Sequence, residues 1–287
     1  MRINRKHRQV DCLVALIVGA IFCYGAAGVV ARPGSNQDRS AASLTPLQLE
    51  IEKQRMRLSS SEVEERRDAL TRLGSMHNPQ ASRAALTGLR DSAAIVRVSA
   101  ADAILSLPPD ESAVSLIPLL SDKDEFVRRE TAYALGKTGS RMAVSVLIER
   151  LINDKMDAVR GAAAVALGQI RDETAVTSLA SVLDSQSGAV PTKRSKKKKK
   201  QEDPFVLRSA ARSLGQIGSR AGLPALFRAL QDEQGEADVR RESAIALGSV
   251  GDSSALPALR EALTALDPYL SQAAEEAIRK ILNSNSR

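Results

Sequence analysis

An internal repeat constrains this chain more than any other feature. FVRRETAYALGKTGS from Phe126, AVRGAAAVALGQIRD from Ala158, FVLRSAARSLGQIGS from Phe205 and DVRRESAIALGSVGD from Asp238 align without a gap. The same frame takes in AIVRVSAADAILSL and EERRDALTRLGSM upstream and YLSQAAEEAIRKIL at the C-terminal end, giving seven copies. One slot reads Arg66, Arg97, Arg128, Arg160, Leu207, Arg240, Ser271, and the slot eight residues later reads Gly74, Leu105, Gly136, Gly168, Gly215, Gly248, Arg279. Copies follow one another at 31 to 33 residues, with one interval of 47 between Arg160 and Leu207. A period of this size is the signature of a stacked repeat architecture.

Within a copy, Val127, Thr131, Ala134, Leu135 and Thr138 fall at helical spacing, with Ala132 beside them. Small residues recur four and six positions after the Arg slot, as at Ala164 and Ala166 or Ala244 and Ala246, which lets neighbouring helices approach closely. Gly136 and its equivalents, often followed by Gly139, Gly218 or Gly251, are expected to end the helix through left-handed backbone geometry. A second apolar pattern precedes each such helix: SAVSLIPLL, MAVSVLIERL, TAVTSLASVL, GLPALFRAL and ALPALREAL. Each unit is therefore a two-helix hairpin whose apolar face is buried only by stacking on its neighbours. Aromatics make up 2% of the chain and Trp is absent, so the core must be built from aliphatic and small side chains. Leu44 to Leu58 supplies the first helix, and Ser61 with Glu64 reads as a capping box before the second.

The DxxVRxxAxxALGxIG pattern, with a Leu-Pro-Ala-Leu helix before it, resembles the short HEAT-like repeats named after phycobilisome lyases. The resemblance covers about Leu44 to Leu282 and is strongest from Ser112 to Leu263. It implies an all-α fold, an α-solenoid or superhelix of about seven helical hairpins, here following an N-terminal apolar helix. It also implies that the Arg slot and the acidic residue four positions earlier (Glu62, Asp124, Asp203, Glu236, Asp267) brace adjacent hairpins. Fold of this kind does not by itself specify function.

The expected domain plan is a basic flank over 1–11, a transmembrane anchor or signal peptide over 12–31 and a flexible linker over 32–43. The repeat solenoid over 44–283 and a tail over 284–287 follow. Residues 12–31 read CLVALIVGAIFCYGAAGVVA without a charge, and as a helix they would reach about 30 Å, the thickness of a hydrocarbon core. Arg2, Arg5, Lys6 and Arg8 precede them, which predicts a single-pass membrane protein with its repeat domain outside the cytoplasm. The competing expectation is a secreted or periplasmic protein, cleaved after the small residues Gly25-Ala26-Ala27.

The formal charge of +7 is local. Four cations lie in the N-terminal flank, and Lys193, Arg194, Lys196, Lys197, Lys198, Lys199 and Lys200 supply seven more. Without these segments acidic residues slightly outnumber basic ones. A nucleic-acid-binding solenoid would spread its cations along a groove, so nucleic acid is not the expected partner. The lysines fall in a 186–203 insertion that reads as a disordered loop, a candidate site for a polyanion or anionic lipid. Cys12 and Cys23 both lie in the apolar segment, leaving no thiol for the repeat body.

His7 and His77 are the only histidines, and neither a P-loop nor GxGxxG occurs, so no cofactor or catalytic constellation is expected. Relatives with this repeat include deoxyhypusine hydroxylases, which bind iron through His-Glu pairs; here Arg8 follows His7 and Asn78 follows His77. The expected function is a non-catalytic scaffold or adaptor that holds a protein or peptide. The second helix of each hairpin usually lines the concave side in this family. Its outward positions are the candidate partner-binding residues: Arg129, Glu130, Tyr133, Lys137, Arg208, Arg212, Arg241 and Glu242. Tyr133 is expected as an exposed aromatic anchor. Alternatives are polyanion binding through the lysines and a phycobilin-lyase-like or chromophore-handling role.

Overall fold

The computed structural model describes residues 44–185 and 202–285. Over these it is all-helical, with fourteen α-helices paired as seven hairpins. The first three are α1 (Pro46–Arg57) with α2 (Val63–Ser75), α3 (Pro79–Ala85) with α4 (Ala94–Ala103), and α5 (Pro109–Leu116) with α6 (Glu125–Thr138). Then come α7 (Val144–Asn153) with α8 (Asp157–Ile170), and α9 (Val176–Asp184) with α10 (Pro204–Ile217). The last two are α11 (Leu223–Gln231) with α12 (Ala237–Val250), and α13 (Leu256–Ala262) with α14 (Pro268–Asn285). Each second helix from α6 onward packs along the second helix of the next hairpin, which makes the array solenoid-like.

Local chemistry explains the boundaries. Thr45 and Gln48 form a reciprocal capping box at α1, whereas the box expected at Ser61 and Glu64 is absent: the N-cap of α2 is Glu62, without a side-chain cap bond. Asp124 and Asp203 accept from the amides of Phe126 and Phe205, and Pro204 sits in the first turn of α10. Ser140, Asp172, Ser219 and Asp252 cap short 3₁₀ turns that lead into α7, α9, α11 and α13. The second glycines end helices, as at Gly218 with φ 75°, and Arg171 takes the same left-handed place after α8 with φ 57°.

The first glycine of each copy has a different task from the one expected of it. Gly136, Gly168, Gly215 and Gly248 lie inside their helices and are buried. A Cβ on Gly215 would fall 2.7 Å from Ala246 Cα, and one on Gly248 would fall 2.7 Å from Ala277 Cα. These glycines and the small residues facing them set the spacing between consecutive second helices. The core between the helical layers is Leu, Ala, Val and Ile, with Leu116, Leu135, Leu147, Leu167, Leu179 and Leu207 fully buried.

One expectation is corrected. Among the described residues no helix is long and apolar enough to cross a membrane, so the single-pass placement with an extracytoplasmic repeat domain is not supported. The 12–31 stretch on which it rested lies outside the described residues, as do Lys193, Arg194 and Lys196 through Lys200.

Candidate functional site

The Arg slot forms a ladder between hairpins. Arg66 grips Asp91 through Nε at 2.6 Å and Nη2 at 2.8 Å, and Arg97 grips Asp122 at 2.7 and 2.9 Å. Arg128 does the same to Asp154 at 2.9 and 3.0 Å, and Arg160 pairs with Glu202. The remaining guanidinium nitrogen donates backward to carbonyls of its own hairpin's loop, Ser60 for Arg66, Asp91 for Arg97 and Asp122 for Arg128. Each aspartate also accepts an amide two residues on, from Ala93, Asp124 and Met156. The Arg66, Arg97 and Arg128 rungs therefore tie two loops and a helix start with planar, bidentate bonds.

The arginines do brace the hairpins, but through a different set of acids from the one expected. Asp124 and Asp203 cap their own helices, and the rungs use carboxylates of the following loop instead. Asp267 alone of the expected set serves as a brace, to Arg241 at 2.7 Å. The Asp91 carboxyl is held below its usual range first by the Arg66 hydrogen bond, against desolvation. At Asp154 burial pushes upward most strongly, yet Arg128 and the Met156 amide together bring the group below its ordinary value. The ladder stops at Leu207, which is fully buried in place of an arginine.

The candidate partner-binding side chains lie on the second helices, and most of them are linked to the neighbouring second helix. Lys137 reaches Asp102 of α4 at 3.1 Å, Arg208 lies 3.7 Å from Asp238 of α12, and Arg212 makes a bidentate pair with Glu242 of α12 at 2.9 and 2.7 Å. Arg129 pairs with its neighbour Glu130 and lies over the Phe126 ring, 5.2 Å from its centroid. Arg241 binds Asp267 and Asp238 and lies over Tyr269 at 5.1 Å. The side chains of Lys137, Arg208 and Arg212 stay 54%, 41% and 54% exposed despite these pairs. Glu242 is buried.

Tyr133 is half-buried against the core, and desolvation raises its phenol. The exposed aromatic of the described residues is Tyr269, at the start of α14. Its copy departs from the repeat pattern, with Ser271 and Arg279 in the two landmark slots, and the Asp-Pro-Tyr that opens the helix is the signal the sequence carries for it. His77 is an exposed turn residue with φ 46°. Among the described residues no group of three or more His, Cys, Asp or Glu is placed to hold a metal ion.

Stacked hairpins joined by a loop ladder define a helical repeat protein. HEAT repeats match residues 113–194 and 197–279, more than half of the chain, and the chain belongs to that family. Among solved structures it is similar to the complex of CpcE and CpcF of phycocyanin lyase from Nostoc sp. PCC7120, at 21% identity over 91% of this chain and 99% of that one, with a TM-score of 0.49. Human deoxyhypusine hydroxylase in complex with glycerol is 20% identical over 81% and 84% of the two chains, with a TM-score of 0.40. A designed armadillo repeat protein is 15% identical over 80% and 99%, also at 0.40. No curated protein is similar enough to match. At these similarities the solved structures transfer no function to this chain.

Proposed function

We propose that this protein is a non-catalytic scaffold that holds a protein or peptide partner along the row of its second helices. The observation that carries this reading is the row itself: Lys137, Arg208 and Arg212 remain about half exposed while their inter-helix pairs hold them in place. A cation immobilised in this way forfeits less side-chain entropy when a partner's carboxylate or carbonyl arrives than a free surface lysine does. Arg129, Glu130 and Tyr133 stand on the same helix as Lys137, α6, one to two turns before it. Arg241 and Glu242 support it from beneath through their bonds to Asp267 and Arg212.

Site-specific photocrosslinking in cells tests the proposal. A photoreactive residue at position 137 is expected to yield a discrete adduct, and Arg208→Glu combined with Arg212→Glu is expected to abolish it. The same residue at Ser145, exposed on the first helix α7, serves as the control. Adducts that form from position 145 alone, or that survive the double charge reversal, would show that the binding face lies elsewhere.

A further inference from the structure

One arginine of the repeat slot has lost its rung. Arg66, Arg97 and Arg128 each meet an aspartate 25 or 26 residues on. The residue 26 positions after Arg240 is Leu266, whose side chain is fully exposed. The brace between hairpins six and seven has moved by one residue, to Arg241 and Asp267. Arg240 is left with one side-chain hydrogen bond among the described residues, from its Nε to Leu230 O at 3.0 Å, and makes no salt bridge among them. Its guanidinium lines an open groove of about 680 Å³ between the loops of hairpins six and seven, beside Leu230, Ala262 and Leu266. Two exposed carboxylates, Glu233 and Glu261, stand in the same groove, and neither has an ion-pair partner among the described residues.

We propose that this groove takes an extended peptide segment of a partner, with one acidic side chain on Arg240, basic residues beside it facing Glu233 and Glu261, and an apolar side chain against Leu266. The acidic residue would supply from outside the carboxylate that Asp91, Asp122 and Asp154 supply internally to their own arginines. A partly buried guanidinium with two donor nitrogens unused favours a planar, bidentate acceptor over a water-exposed contact. The flanking glutamates repel a uniformly acidic strand, so the charge pattern selects an acid set between bases. A fully exposed leucine at the mouth supplies the apolar contact that a charged rim by itself lacks. The proposal rests on the reading of the protein as a scaffold and adds a second contact surface, at the loop edge, together with the chemistry it accepts.

The test uses the full chain and a phage-displayed library of random dodecapeptides. The intact protein is expected to enrich peptides with an Asp or Glu flanked by Lys or Arg and followed by an apolar residue. Arg240→Gln should weaken the selected peptides by about tenfold or more, as the loss of one partner of a desolvated charge pair does. Leu266→Asp places a carboxylate in the register of the missing rung and should also abolish binding, while thermal stability holds or rises because Leu266 touches no core. Glu233→Lys with Glu261→Lys should shift the selected flanks from basic to acidic. Enriched peptides without an acidic residue, no enrichment, or full binding by Leu266→Asp would overturn the proposal. Dimerisation of the intact chain that Leu266→Asp removes would also overturn it, by showing that a second copy fills the groove. Arg212→Glu separates the two readings: it should disturb adducts on the second-helix row and leave peptide selection unchanged.

Discussion

Arg171 occupies a backbone position that three other copies give to glycine. Its φ of 57° compares with 67°, 75° and 76° at Gly139, Gly218 and Gly251. A left-handed conformation costs a residue with a Cβ about 1 kcal/mol or more, and the Arg171 side chain is exposed, with no hydrogen bond or ion pair among the described residues to offset that cost. Arg171→Gly is therefore expected to stabilise the protein by about 1 kcal/mol, read as a rise of a few degrees in the unfolding midpoint. At the same scale, a glycine's meaning depends on what surrounds it. Nothing lies within 4 Å of a Cβ added to Gly218, whereas one added to Gly215 meets Ala246 at once. Both belong to the Leu-Gly-x-x-Gly pattern, and the spelling of the pattern does not tell which glycine turns the chain and which admits a neighbour.

At the scale of elements, that distinction becomes a prediction about helix spacing. Gly215→Ala pushes α10 away from α12 and should destabilise by about 1 to 3 kcal/mol, the usual range for overpacking. Gly218→Asn should be nearly neutral, since asparagine tolerates the left-handed region and the site is open. Urea titrations of the two variants decide the matter. Equal losses would mean that the helix seam has room for a methyl group and that the glycine slot is not what sets the spacing. The rungs act on the same seam from its edge. Each joins a loop to the next loop, so that hairpins sharing an aliphatic core are also tied by charge-assisted bonds.

At the scale of the whole molecule, the ladder couples stability to pH and confines damage to its neighbourhood. The carboxyls of Asp91, Asp122, Asp154 and Asp267 all titrate below the ordinary value of 3.8 in the folded chain. A depressed folded pKa means that the stabilisation is complete above the unfolded value and is lost as pH falls through the folded one. Stability should thus be level from neutral pH down to about 5 and decline below about 4. Arg128→Ala leaves Asp154, only 2% exposed, without its main partner and should cost on the order of 3 kcal/mol at neutral pH. Burial then dominates and raises the Asp154 pKa, so the penalty should shrink as acid protonates the carboxyl. A penalty that grows in acid would contradict the ladder's electrostatics. Because contacts in a repeat array are between neighbours, hydrogen exchange should quicken in hairpins three and four and stay unchanged in hairpins six and seven.

The sequence by itself determined the repeat, its period, the pairing of helices into seven hairpins and the aliphatic character of the core. It could do so because periodicity and helix signals are local, written within each 31-residue copy. The tertiary structure decided which residues meet between copies. The Asp91, Asp122 and Asp154 partners of the arginines lie 25 or 26 residues away, and no local spacing singles them out over the acids four positions before the arginine. It decided likewise that Glu242 lies buried beneath Arg212, that Tyr269 and not Tyr133 is the exposed ring, and that Arg240 is left without a carboxylate. Each of these depends on how far one hairpin is displaced against the next. That displacement is set by contacts such as Gly215 on Ala246, which exist only once the hairpins are stacked.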